Sequence, residues 1–472
     1  ALELAQDVAT DGNWERFVGL DNKLSNIRGE IRGVEVKLAR ARDREEKADL
    51  IGARNLYMEL LKDFRGSDLV RDLRLPVEVR TLPPGAAIRV AGTDHPHKTP
   101  TVLRVSPFGQ TEIEFSKPGF TTRSVKLGPF GDETDPAAFQ FGWQVLKAPT
   151  WSTATNEVLE AAPASWNKHL VVAGRSGRWF VLDAKTGKQS GSGRLEADAA
   201  VTADLASSGS MVFVPSLNGT LYAVDAETGK LVYRIPGRNQ PIDAPPTTAG
   251  GVLYYVDHEG TATAFNLETR KSSWTKPSLP AVYAAPLVLG DRLVLLSTGG
   301  EVVVLSTADG ETVKRFTLPG GTYRCAPAVI GEDLIFASEG GRLTRYDLRN
   351  DQVVWTEEWP VRVRRTPSIS GGAIYVSPMP GELIVIDATA GRESYRFSNS
   401  LTVAGAAVSP NHRVFFAHDR TLSAFAPGKD GYGLAWSFEA RSTILAGPVV
   451  HGSAVYIGDA DGNIYRLEAV DG

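Results

Sequence analysis

One cysteine, Cys325, stands in the 472 residues of this chain, so no intrachain disulfide can staple it. Folding must rest on burial instead, and the lone thiol reads as a small core residue. No stretch approaches the ~20 consecutive apolar residues that a membrane-crossing helix needs. Neither sign of charge is in excess: a net charge of −4 argues against bulk affinity for nucleic acid and against a polybasic membrane grip. A charged-then-apolar leader is missing and the chain begins at Ala1, which reads as a mature chain or as the excised part of a longer one. Any membrane anchor is expected outside this sequence.

Signatures of catalysis are missing too. Neither a G-x-S-x-G nucleophile elbow nor an H-E-x-x-H zinc motif occurs. The glycine-rich Leu318-Pro319-Gly320-Gly321-Thr322 does not continue into the Gly-Lys-Ser/Thr of a phosphate loop. His95 and His97 stand two apart with no third metal ligand evident. His412 and His418 flank an apolar run and read as surface residues. Asp459-Ala460-Asp461-Gly462 starts like a calcium loop but lacks the Glu at the twelfth position, so it reads as a turn. No catalytic residue, cofactor or metal is therefore expected.

What the chain does have is repetition. Pro163, Pro245, Pro286, Pro327, Pro367 and Pro448 each open an apolar run, with separations of 82, 41, 41, 40 and 81. Ala203 and Ala406 fill the double gaps, giving eight units. A period of this length built from short strands and turns marks a closed radial β architecture. The clearest unit, residues 212–233, reads strand, turn at Asn218-Gly219, strand, turn at Thr228-Gly229, strand. Asp225 precedes the second turn and can fold its carboxylate onto the turn amides, and Asp183, Asp347 and Asp387 hold the same place. Tyr233, Trp274, Trp355, Tyr395 and Trp436 close their units and are expected to pack one blade on the next. The eighth unit stops before an outer strand. Gly142-Trp143-Gln144-Val145-Leu146 is the spare strand expected to close the ring.

Two further segments precede the ring. In residues 1–75, Leu24, Ile27, Ile31, Val34, Leu38 and Ala41 form a narrow apolar seam, and Leu50, Ala53, Tyr57, Leu60 and Phe64 form a second one out of register. An antiparallel helical hairpin explains the break, and one long helix with a stutter is the rival. Residues 76–130 turn to short alternating strands punctuated by Pro83-Pro84-Gly85, Pro107-Phe108-Gly109 and Lys117-Pro118-Gly119, the pattern of a small β-sandwich. Here Pro83-Pro84-Gly85-Ala86, Thr99-Pro100 and Lys117-Pro118-Gly119-Phe120 resemble a PEGA domain, which implies a non-catalytic module of bacterial surface or extracytoplasmic proteins.

Leu221-Tyr222-Ala223-Val224-Asp225-Ala226-Glu227-Thr228-Gly229 resembles the repeat of the PQQ-like eight-bladed propellers. That resemblance implies an eight-bladed β-propeller over residues 139–472, so the expected fold is mainly β, with the sandwich and hairpin before it. It implies little about function, because relatives include quinoprotein dehydrogenases, an outer-membrane assembly lipoprotein and sensor regions of bacterial receptors. The dehydrogenases carry a vicinal disulfide that Cys325 alone cannot make, so a quinone-dependent oxidoreductase is the alternative. A saccharide-binding module is another.

A recognition surface is the remaining expectation. Links between units lead to the channel mouth of a propeller, and they carry Tyr283, Tyr323, Arg324, Arg362, Arg364 and Arg365. Tyr283, Arg324 and Arg364 each stand three residues before a marker proline. Convergent tyrosines and arginines suit a protein partner, an anionic ligand or an anionic glycan. The reading is thus a non-catalytic, extracytoplasmic bacterial recognition or scaffold protein, with a sensor region of a membrane-anchored protein as one form of it.

Overall fold

The computed structural model describes residues 14–131, 134–196, 198–277, 281–379, 381–398, 403–428 and 431–470. The chain divides into two compact units, 1–145 and 146–472. In the first, helix α1 (Trp14–Glu46) and helix α2 (Leu50–Phe64) run antiparallel. Asp49 caps α2, its carboxylate accepting from the Gly52 amide at 2.9 Å. Lys37 meets Glu59 at 3.2 Å and Asp63 at 3.4 Å, while the Tyr57 hydroxyl donates to Glu45 at 2.6 Å. The second seam is buried at Ala53, Tyr57 and Leu60, but the first only at Val34 and Ala41. Helix length explains the difference. At 1.5 Å per residue, α2 spans less than half of α1, so Ile27 is left 45% exposed.

The strands of this unit form two sheets. Leu75–Leu82 pairs with Thr101–Val105 on one side and, in parallel, with Gln140–Gln144 on the other. Ala87–Val90, Thr93–Asp94, Thr111–Ser116 and Arg123–Leu127 make the second. Alternate residues Val77, Val79, Leu103, Ile113 and Phe115 are buried. The parallel pairing corrects the expected clasp. Gly142-Trp143-Gln144 does not close the ring, because Phe141 and Trp143 stack on each other at 5.8 Å and pack against Phe130 and Phe115 in this unit.

The second unit holds eight four-stranded antiparallel sheets among the described residues. Sheets 1 to 7 cover 164–194, 206–236, 247–277, 287–317, 328–358, 368–398 and 403–439. Sheet 8 combines residues 444–468 with the upstream strand Trp151–Ala154, which pairs antiparallel with Asn463–Glu468. Apolar side chains of consecutive sheets interlock. One cluster joins Val171 and Val181 of sheet 1 to Val212 and Val224 of sheet 2, and another joins Leu170 and Leu182 of sheet 1 to Tyr456 and Ile464 of sheet 8. The two middle strands of each sheet are buried on both faces, so they read as near-continuous apolar runs.

The repeated turn works through its aspartate. Asp225 Oδ1 accepts from the amides of Glu227 at 2.8 Å and Thr228 at 2.9 Å, and Asp183, Asp347 and Asp387 repeat the arrangement. A carboxylate stabilised by such donors resists protonation. Its bonds to Thr186 hold Asp183 below the ordinary value, and those to Asn350 do the same for Asp347.

Sheets meet at a repeated seam. Opposite Ala223, Ala264, Val304, Arg345, Val385 and Ala424, just before a shared bulge, stand Tyr233, Trp274, Lys314, Trp355, Tyr395 and Trp436. The Trp274 indole donates to the Thr307 carbonyl at 3.0 Å, that of Trp355 to Ala388 at 3.0 Å, and that of Trp151 to Ala184 at 3.2 Å. Each ring lies against a turn glycine of the next sheet: Gly310, Gly391 and Gly187. At two other seams a charged turn residue stands in the glycine's place. Tyr233 meets Arg270, whose guanidinium lies 4.6 Å over the ring, and Lys314 meets Asp351 at 2.5 Å.

One histidine departs from expectation. His418 is not a surface residue: it is 4% exposed, with Nε2 3.1 Å from Ser423 Oγ, because it ends a strand buried on both faces. His412 is exposed. Burial lowers the His418 pKa below 6.5. The unfolded chain then takes up a proton that the folded one refuses, so stability is present above about pH 6.5 and falls below it. We expect denaturant midpoints to decline from pH 7 to pH 5.5, with a slope of up to about 1.4 kcal/mol per pH unit from this group. His418→Gln should flatten that slope, and an unchanged slope would remove His418 as its source.

Candidate functional site

The links that enter sheets 4, 5 and 6 are extended, so their side chains alternate. Val282, Ala284 and Pro286 point inward in the first, Tyr323, Cys325 and Pro327 in the second, Val363 and Pro367 in the third. Tyr283, Arg324 and Arg364 fall between them. They line one cavity of about 570 Å³, together with Arg365. Asp243 lines it as well. The proline buried before the first strand of sheet 3, Thr247–Ala249, is Pro246 and not Pro245, which brings Asp243 into series with Tyr283, Arg324 and Arg364. Reading the second proline of the pair as the marker would have found it.

These residues are connected across four sheets. His258 Nδ1 lies 3.2 Å from Asp243 Oδ2, and its ring meets Tyr283 edge-on at 5.1 Å. The Arg324 guanidinium lies over the Tyr283 ring, 5.0 Å from its centroid. Arg324 approaches Glu339 at 3.5 Å, and Arg364 donates to the same carboxylate oxygen. Burial raises the Asp243 pKa, opposed by its bond to His258 and by Arg324. Asp204, from the link into sheet 2, also lines the cavity and accepts from the Ala162 amide at 2.7 Å.

Two expected members lie elsewhere. Tyr323 is 1% exposed in the core between sheets 4 and 5, its hydroxyl donating to the Pro319 carbonyl at 3.2 Å, because the alternation turns it inward. Arg362 is spent on a backbone bridge with Met379 and does not line the cavity. Cys325 is buried, and burial pushes its thiol up to about 12, so it is inert as a nucleophile. Asp459 accepts from the Asp461 and Asn463 amides and from the Tyr465 hydroxyl, a turn and not a calcium loop. No group of three or more metal-ligating side chains occurs among the described residues.

Sheets of this repeat, stapled at their seams and opening on a shared charged mouth, define a PQQ-like β-propeller. The chain belongs to the family described as "Outer membrane protein assembly factor BamB", whose profile matches residues 190–394 and 339–472. It is 25% identical over 341 residues to the outer membrane protein assembly factor BamB of Bordetella pertussis, covering 70% of this chain and 78% of that one. The BamB of Burkholderia pseudomallei is 24% identical over 325 residues, 64% of this chain and 83% of its own. Among solved structures, BamB from Moraxella catarrhalis superposes with a TM-score of 0.60 at 15% identity, over 68% of this chain and 99% of that one. The computationally designed protein Ika8 gives 0.59 at 16%, over 67% and 97%, a likeness of fold alone. The family is one of assembly factors, so the chain is not an enzyme, and it is a bacterial protein that works outside the cytoplasm.

Proposed function

We propose that this chain is a periplasmic scaffold in outer-membrane protein assembly, docking a protein partner at the mouth lined by Tyr283, Arg324 and Arg364. The observation that carries the reading is the continuous side-chain network from Asp243 to Arg364, built from equivalent positions of successive repeats in a family named for assembly. The eight sheets are then the blades of one closed propeller. The shared core of sheets 1 and 8 supports closure. Residues 76–130, with their PEGA-like turns, and the helical hairpin serve as a non-catalytic spacer.

Glu339 already faces two of the arginines, which speaks against a simple anion site and for a partner of mixed charge. The test is Arg324→Gln with Arg364→Gln, which removes charge without setting like charges around Glu339. With a photo-crosslinker at Thr366, the wild-type protein in its own bacterium should crosslink to a component of the outer-membrane assembly machinery. The double variant should lose that crosslink by at least tenfold, since each charge-assisted bond contributes ~1.5–3 kcal/mol, while its Tm is unchanged. Undiminished crosslinking in the double variant would remove the mouth as the docking surface.

A further inference from the structure

The mouth is split by charge. Asp243 and Asp204 enter from sheets 3 and 2, whereas Arg324, Arg364 and Arg365 enter from sheets 5 and 6. Sheets 7 and 8 contribute Gly405, Ala406, Gly447 and Pro448, which leave the cavity open beside them. Neither wall is internally satisfied. Among the described residues Asp243 Oδ1 is buried from solvent without a hydrogen-bond partner, although Oδ2 is held by His258. A carboxylate with one oxygen undonated is incompletely compensated, so the Asp243 side of the mouth favours a positively charged guest. Across the cavity, Arg324 and Arg364 share the single carboxylate of Glu339. Among the described residues Arg365 bonds a neutral carbonyl, that of Leu445 at 3.4 Å, and no carboxylate. Three guanidiniums thus face one carboxylate, and the surplus suits an incoming anion.

We infer that the guest of this mouth is an extended peptide segment of mixed charge, whose basic side chain meets Asp243 and whose carboxylate side chain meets Arg364 and Arg365. The inference rests on the reading of the mouth as a protein-docking surface and names the chemistry of what docks. A purely acidic segment would meet Asp243 and Asp204 as like charges. A purely basic one would meet three arginines. Only a segment carrying both signs answers both walls, which is specificity by exclusion as much as by attraction.

The probes are fluorescein-labelled, end-capped peptides in which Arg and Glu are separated by one, two or three glycines, with Arg/Arg and Glu/Glu peptides of the same lengths. Fluorescence anisotropy with the full chain should show at least one mixed peptide binding about tenfold more tightly than either single-sign peptide. Asp243→Asn should erase that margin, and Arg365→Gln should do so independently, both with unchanged melting. If Asp243→Asn proves unstable, the Arg365→Gln arm decides. Equal binding of the Glu/Glu peptide would overturn the inference and assign the mouth to anions. Free arginine binding as tightly as the peptides would overturn it in favour of a small zwitterion. Should no peptide bind while the crosslink at Thr366 persists, the mixed-charge segment fails and the docking surface stands.

Discussion

Trp274→Ala should lower the unfolding free energy of the 146–472 unit by about 3–5 kcal/mol, the range for removing a buried aromatic. Trp274 is 7% exposed, packs with Tyr254 and Leu293 in the core between sheets 3 and 4, and donates its indole proton to Thr307. Removing it empties the seam and leaves that carbonyl without its donor. Trp274→Phe keeps most of the packing and loses the bond, so it should cost about 1 kcal/mol for the bond plus a small cavity term. The partner side of the seam offers a converse test. A methyl group at Gly310 would lie 2.7 Å from the Trp274 ring, on a residue whose φ is +73°, so Gly310→Val meets both a clash and a left-handed backbone. Urea midpoints with an unchanged m-value are the measurement. A loss below about 1 kcal/mol for Trp274→Ala would show that the seam is covered by its neighbours and not held by the indole.

Repetition explains why so much of this fold was legible. The aspartate turns lie in one contiguous stretch of sequence, so Asp225 and its amides could be paired by offset alone. Tyr233, Trp274 and Trp355 were legible as blade-packing residues for the same reason: the repeat fixes their place opposite the third strand. What the period cannot show is which residue lies across the seam. Arg270 and Asp351 are such residues: each stands at positive φ, 54° and 58°, and reaches back to the preceding sheet.

Misses have equally local causes. Asp243 escaped because two adjacent prolines offered two registers, and a one-residue shift in an extended link exchanges the inward and outward sets. The same rule put Tyr323 on the wrong side: it is adjacent to Arg324, so only one of the two can face the cavity. The first helical seam was legible as a seam but not in its extent, since burial depends on the length of α2. His418 looked like a flanking residue because its strand is followed at once by a turn, yet both faces of that strand are covered.

The clasp is the instructive case. Gly142–Leu146 stood out as the spare closing strand, and Trp151–Ala154 was given no role. An outer strand of this ring is half exposed and alternates, so Trp-Ser-Thr-Ala is the better candidate once the burial of that position is considered. Replacing Trp151–Ala154 by a glycine-serine stretch of equal length should have the largest effect of any change considered. It would remove the four-residue pairing with Asn463–Glu468, the indole bond to Ala184 and the Thr153 hydroxyl bond to Gly187 at 2.7 Å. Those last two tie sheet 8 to sheet 1. With ~3–5 kcal/mol for the aromatic and about 1 kcal/mol for each hydrogen bond, the loss exceeds about 5 kcal/mol. For a unit of this size, that corresponds to a fall in Tm on the order of 7–10 °C. The freed edge of Asn463–Glu468 should also recruit other chains, visible as concentration-dependent association in light scattering. The same replacement at Gln140–Gln144 alters the 1–145 unit and should leave the melting of 146–472 in place. Were the two replacements to act alike on that transition, closure through Trp151–Ala154 would be refuted, and the seam between first and last sheets would have to be held by its apolar core alone.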